Sequence, residues 1–179
     1  LQNPTHTYVT TGSFTVTLIT TDSVGCSSFY SSPNPVIVHP DPVAAGSVTI
    51  KNGCNPLTTS FANTSTGAVS NIWYFGNGDS STVANPTYTY TTPGVYQPYI
   101  VAITAFGCTD TFYLNTSVVV YSTPNASFNS NVTNGCSPLT VNFNNQTTPL
   151  DNPVYNWSFG TGATSALADP TYTYNSHGT

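Results

Sequence analysis

The side chains best suited to chemistry in this chain are four cysteines, three histidines and six acids, all of them aspartates. Cys26 and Cys108 lie 82 positions apart, and so do Cys54 and Cys136. Thiols cross-link secreted chains, and which pairs meet depends on the fold that carries them. His6, His39 and His177 are not clustered, and His6 shares a variable strand position with Tyr88 and Tyr172. Asp22, Asp41, Asp79, Asp110, Asp151 and Asp169 are isolated, whereas calcium wants several oxygen ligands including close carboxylates. Only Asp79, beside a Gly-Asn-Gly turn, offers a cation anything, so no metal or cofactor site is expected. No histidine stands with an acid and a nucleophile in a motif such as Gly-x-Ser-x-Gly. No carboxylate pair is placed for glycoside hydrolysis. The expectation is a protein that is not an enzyme. Tyr74, Tyr99 and Tyr113 alternate with inward positions and are expected at the surface, where tyrosines bind sugars or pack on a neighbouring subunit.

Charge narrows the partners. Charged residues are 4% of the chain, against roughly 25% in ordinary soluble proteins. Lys51 is the one lysine or arginine in a net charge of -5, so nothing displaces phosphate counterions and no nucleic acid is expected. Docking to anionic membranes is disfavoured for the same reason, and no apolar run approaches the roughly 18 residues of a membrane span. No basic and then apolar leader opens the sequence, so any secretion signal has been removed or lies outside it. A surface this poor in charge stays soluble through glycans or is buried in an assembly. Sequons begin at Asn63, Asn115, Asn125, Asn131, Asn145 and Asn156, the last beside Trp157 and the least suited to a glycan. Asp22-Ser23-Val24 resembles a short Asp-Ser/Thr-aliphatic motif that some bacteria O-glycosylate, which makes Ser23 a further candidate.

Strands must position these residues, because Thr, Ser, Asn, Tyr, Val, Pro and Gly favour strand and turn over helix. Trp73 and Phe75 sit two apart and so share one face of a strand. Gly76-Asn77-Gly78 follows with residues that tolerate a tight reversal, and Asn85-Pro86-Thr87-Tyr88-Thr89-Tyr90 forms the return strand. Trp157-Ser158-Phe159-Gly160-Thr161-Gly162 and Asp169-Pro170-Thr171-Tyr172-Thr173-Tyr174 repeat the pattern; Asn3-Pro4-Thr5-His6-Thr7-Tyr8 is a third return strand. Trp73 and Trp157 are 84 apart, so the later copy holds about two extra residues in the loop around Thr147 to Pro153. The period is that of a domain rather than a solenoid turn. Residues 1–41 read as the back half of a unit, 42–123 as a complete unit and 124–179 as the front part of another. In the first, Phe14, Val16 and Leu18 alternate with polar residues; in the second, Leu57, Thr59 and Phe61 face inward, and Val118 and Val120 align on Val36 and Val38. Tyr96 to Ala105 is expected to be one strand, an edge or bulged at Pro98. About seven short strands per unit is the pattern of an immunoglobulin-like β-sandwich.

Trp-x-Phe-Gly-x-Gly, then Asn-Pro-Thr-x-Thr-Tyr, then Pro-Gly-x-Tyr, resembles the PKD (polycystic kidney disease) domain, whose usual core is Trp-Asp-Phe-Gly-Asp-Gly. Cys-x-Pro-Leu-Thr at Cys54 and Cys136, with Gly-Cys at Cys26 and Cys108, resembles secreted bacterial PKD arrays. The resemblance implies tandem all-β sandwiches on the outside of a cell, used as spacers or adhesive modules. Both acidic positions of the family core are replaced, by Tyr74 and Asn77 in one copy and by Ser158 and Thr161 in the other. Within such an array Cys54 and Cys108 fall in one unit and are expected to form a disulfide, worth on the order of 4 kcal/mol. Cys26 and Cys136 would pair outside this sequence or between chains, Cys136 with Cys26 of a neighbour. Either the sequence is a stretch of a longer array, or half-units of two copies complete each other; the duplicated return strand favours the former. The expected role is structural, in a fibre, sheath or adhesin stalk, with like subunits or neighbouring repeats as partners and glycans as further ones. The alternative is an accessory domain of a secreted hydrolase that binds carbohydrate or protein.

Overall fold

Alternating apolar and polar residues build strands throughout the described residues, 2–148 and 153–176, of a computed structural model. Residues 149–152, Asp151 among them, lie outside the described residues, as do Leu1, His177 and the final Gly178-Thr179. No helix occurs among the residues described. The chain divides into two compact units, residues 1–120 and 121–179.

Within the first unit the fullest packing lies between residues 42 and 120. Leu57–Asn63 is the middle strand of one sheet, flanked by Thr87–Tyr90 and Gly46–Val48. Its period-two pattern turns Leu57, Thr59 and Phe61 into the interior. The facing sheet runs Thr109–Tyr113, Tyr99–Ile103, Ser70–Tyr74, Ser80–Ser81. Trp73, 0% exposed, fills the space between them, with Phe61 and Phe75 each bringing a ring centroid to within 5.2 Å of a neighbour in this cluster. The indole N–H donates to the Ala84 carbonyl at 3.0 Å. Thr59 is buried as well, and its hydroxyl both accepts from the Ile50 N–H and donates to the Ile50 carbonyl, so its burial leaves nothing unpaired.

Pro98 changes the expected topology. The stretch from Tyr96 to Ala105 is not one strand: Gly94–Tyr96 pairs with Val118–Tyr121, whereas Tyr99–Ile103 joins the other sheet. A proline has no N–H for a ladder, and the chain uses that position to cross between sheets. Gly76, at φ 85°, packs so closely on this crossing that a Cβ there would come within 2.7 Å of the Gln97 nitrogen. The same break recurs earlier, where Gly12–Phe14 pairs with Val36–Val38 and Thr17–Thr21 with Ser27–Ser31. Here the alternating stripe is not buried. Leu18 is 62% and Ile19 67% exposed, because no counterpart of the Trp73 strand covers residues 12–38 among those described.

Exposed strand positions are joined by hydroxyls. Thr58 meets Thr89 at 2.8 Å, Ser60 meets Thr87 at 3.1 Å, and Thr140 meets Thr173 at 2.9 Å, each pair across two strands.

Buried between the sheets, Tyr90 donates its phenol to the Phe75 carbonyl at 2.9 Å. Burial pushes this phenol well above its ordinary value, and charge on Tyr88 or Tyr96 would push it further. A folded pKa above the unfolded one means a contribution that is whole below about pH 10 and is lost as the pH climbs through the folded value. Tyr90→Phe removes both the bond and the ionisation. Urea titrations across pH are expected to find it about 1–2 kcal/mol less stable near neutrality, with a shallower alkaline loss than the parent. An unchanged alkaline slope would show that another group controls it.

Candidate functional site

Three tyrosines on the outer face of the larger sheet form the most distinct surface feature of residues 42–120. Tyr99 stands directly opposite Tyr74 on one neighbouring strand and opposite Tyr113 on the other. Period two puts all three on the same face, away from Trp73 and Ile100. Their ring centroids are 4.6 and 4.8 Å apart with interplanar angles of 14° and 37°, so the rings form a short continuous aromatic strip. Tyr113 is 58% exposed. The Tyr99 phenol is held above its ordinary value by desolvation first and then by charge on its two neighbours. Such a strip suits the flat apolar face of a sugar ring or a partner's side chains. The fold does not demand it. The counterparts of Tyr99 and Tyr113 are Thr17 and Ser31, whose hydroxyls meet at 2.7 Å, and the counterpart of Tyr74 is Ser158.

Residues 121–176 present a second surface, and sequence reasoning missed it. Leu139–Asn145 pairs with Phe128–Ser130 and with Thr171–Tyr174, repeating the local bonding of the complete set. Trp157 donates to the Leu167 carbonyl at 2.9 Å, and Tyr174 donates to the Phe159 carbonyl at 3.2 Å. No pair equivalent to Tyr99–Ile103 and Val118–Tyr121 covers these rings among the described residues. What remains is an open groove of about 620 Å³ floored by Phe128, Phe143, Trp157, Phe159 and Tyr174. Phe128 and Val154, which both line it, are largely exposed.

The cysteines depart from expectation. Cys26, Cys54, Cys108 and Cys136 are free thiols, and the pairing expected of Cys54 with Cys108 is not formed. They occupy opposite ends of the sandwich. Cys54 lies at the Leu57 end, where the Asn55 amide donates to the Thr91 carbonyl at 3.3 Å. Cys108 closes the turn after Tyr99–Ile103, at the end marked by Asp110, which accepts from the Ala44 N–H at 2.8 Å. The strand from Leu57 to Asn63 separates these ends by about 20 Å at 3.3 Å per residue, whereas a disulfide needs Cα atoms within about 7 Å.

The other candidates that the sequence suggests are scattered. Asp79 accepts from the phenol of Tyr88 and from the Asn77 amide at 3.2 Å, a closed side-chain cluster. No group of three or more His, Cys, Asp or Glu able to hold a metal occurs among the described residues. Asn63 donates to Asn71 at 3.2 Å and accepts from the Ser65 N–H at 2.9 Å. Asn145 accepts from the Thr147 N–H at 3.0 Å. Asn115, Asn125, Asn131 and Ser23 are exposed. His39 stacks face to face on Phe106 at 3.4 Å, a contact with no signature in the sequence.

Residues 37–119 match the PKD domain family. Among solved structures, the PKD1 domain from the Vibrio cholerae metalloprotease PrtV is 32% identical, over 45% of this chain and 96% of that one, with a TM-score of 0.39. The PKD1 domain of Vibrio anguillarum Epp is 30% identical, over 46% of this chain and 98% of that one, with a TM-score of 0.38. A structure described for carbohydrate-binding modules from the beta-sandwich superfamily is 17% identical, over 58% of this chain and 54% of that one, with a TM-score of 0.42. No curated protein matches the chain.

The two tryptophans are expected to behave differently towards acrylamide. Trp73 is sealed and should resist quenching, whereas Trp157, open to the groove, should be quenched readily in dilute protein. Trp157→Phe should abolish the quenchable fraction, and equal quenching of both residues would refute the difference in cover.

Proposed function

The chain belongs to the PKD domain family through residues 37–119, and from that premise we propose that it is a non-catalytic stretch of an extracellular fibre, sheath or adhesin stalk whose units close one another's cores. The observation that carries this is the match between the open groove and the uncovered strands. In the complete set, Ile100, Ala102 and Val118 are buried with Trp73 in one core. Their counterparts by the repeat are Leu18, Thr20 and Val36, on strands already formed and bare. Among the described residues the groove around Trp157 has no such layer over it, and residues 12–38 carry strands of that kind. The duplicated return strand is no obstacle, because Thr171–Tyr174 already pairs with Leu139–Asn145 while residues 3–8 form no strand. An interface that joins a back half to a front half is head-to-tail, the kind that builds an open filament when its rotation does not close a ring. Near absence of charge suits surfaces that spend their life against like surfaces. No helix of the described residues is long and apolar enough to cross a membrane, and a location outside the cell accords with the resemblance to secreted bacterial PKD arrays.

A second reading rests on the tyrosine strip. Its absence from the other copies supports a role in contact with a ligand, and an accessory domain that holds a polysaccharide for a secreted hydrolase would use a strip of this kind.

Sedimentation velocity of the intact chain separates these. The fibre reading expects elongated oligomers that grow with concentration, and Leu18→Asp should hold the chain as monomer while Trp73 stays shielded. A parent that remains monomeric at high concentration overturns it. The accessory reading expects retention on insoluble chitin or cellulose that falls about tenfold in a Tyr99→Ala, Tyr113→Ala double variant, which removes two of the three rings; equal retention of both proteins overturns that.

A further inference from the structure

Four thiols at two kinds of place ask for partners. The turn holding Cys26 is the turn holding Cys108: the Asp22 N–H bonds the Cys26 carbonyl at 3.0 Å as the Thr104 N–H bonds the Cys108 carbonyl at 2.9 Å. Cys136 likewise repeats Cys54, each following a glycine whose added Cβ would meet the leucine ahead, Leu139 at 2.6 Å and Leu57 at 2.7 Å. Each kind therefore marks one end of a sandwich. A unit carrying both has them about 20 Å apart, which excludes a bridge inside it.

The groove beside Cys108 shows what stands opposite. It holds about 460 Å³ and is lined by Cys108 and Phe106 together with Tyr8, Val9, Thr10 and Ile37. His39, stacked on Phe106, ties the joining segment to the same turn. Tyr8, Val9 and Thr10 are the counterparts, 82 positions back, of Tyr90, Thr91 and Thr92. In the complete set that place is beside Cys54: Leu57 is in register with Tyr90, and Asn55 bonds the Thr91 carbonyl. A thiol of the Cys54 kind in the preceding unit would thus face the groove into which Cys108 is set.

We propose that successive units are cross-linked end to end, the Cys54-type thiol of each unit to the Cys108-type thiol of the next. The proposal rests on the assembly described above. When copies of this chain join, Cys136 of one copy meets Cys108 of the next, and Cys54 of the first meets Cys26 of the next. All four thiols are used, in two bridges per junction. Each bridge forms as two thiols lose two protons and two electrons, which reduce the disulfide of an oxidant such as oxidised glutathione to two thiols. This pairing replaces both Cys54 with Cys108 and Cys136 with Cys26, since each of those couples would lie at opposite ends of one sandwich.

The test mixes ¹⁵N-labelled and unlabelled intact chain, oxidises it with oxidised glutathione and maps chymotryptic peptides without reduction. The expected result is Cys136–Cys108 and Cys54–Cys26 peptides of mixed isotope, with covalent multimers that collapse to one chain on reduction. Cys54→Ser should lose the Cys54–Cys26 peptide and keep the other. Sedimenting oligomers whose thiols stay free, or pair as Cys54–Cys108 or Cys26–Cys136, overturn the cross-link and leave the assembly standing. A chain that stays monomeric, reduced or oxidised, overturns both.

Discussion

Everything in this fold depends on keeping one indole dry. Trp73 is wedged between two sheets, with the Phe61 ring against it, Phe75 in the same buried cluster and the Ala84 carbonyl at its N–H. Fully burying a side chain of this size contributes several kcal/mol, but only if both layers are present. The first layer is local. The second comes from Ile100, Ala102 and Val118, which arrive 27 to 45 residues later. Trp157 has only its first layer among the described residues, and a groove is the direct result. An apolar core face is therefore open wherever the late strands are not in place among the described residues.

Much of this is legible from period two alone. The inward set Leu57, Thr59, Phe61, Trp73 and Phe75 is buried, and the turn at Gly76-Asn77-Gly78 takes the positive φ at both glycines that a tight reversal needs. The family resemblance extends the reading to the sandwich as a whole. What alternation cannot supply is position along the strand direction. It says which face a residue occupies and nothing about which end of the sandwich, so it puts Cys54 and Cys108 in one unit without revealing their separation. Pro98 reads as a flaw in a ladder, yet only pairing in three dimensions reveals that the strand changes sheets there. The tyrosine strip is legible as exposure; its stacking follows from register, which sequence spacing leaves open.

The contrast between copies is informative in its own right. Trp, Phe, Gly and Tyr of the turn and return strand recur because the first core layer needs them. Tyr74, Tyr99 and Tyr113 give way to small hydroxyl residues elsewhere because no packing requirement holds them. Residues that vary between copies of one architecture are the ones free to serve a partner. The strip and the open groove are accordingly different surfaces, one on the outer face of a packed sandwich and one on the core face left open around Trp157.

Rows of threonine and serine hydroxyls clasped across neighbouring strands have a consequence for the environment this fold tolerates. With one lysine in the chain, cohesion between exposed strand positions comes from neutral donors and acceptors such as Thr58 with Thr89 and Thr140 with Thr173. Dissolved salt screens charges and leaves such contacts almost untouched. Moderate acid has few carboxylates to neutralise and moderate alkali few ammonium groups to strip. Built this way, a filament would keep its stiffness from fresh water to brine.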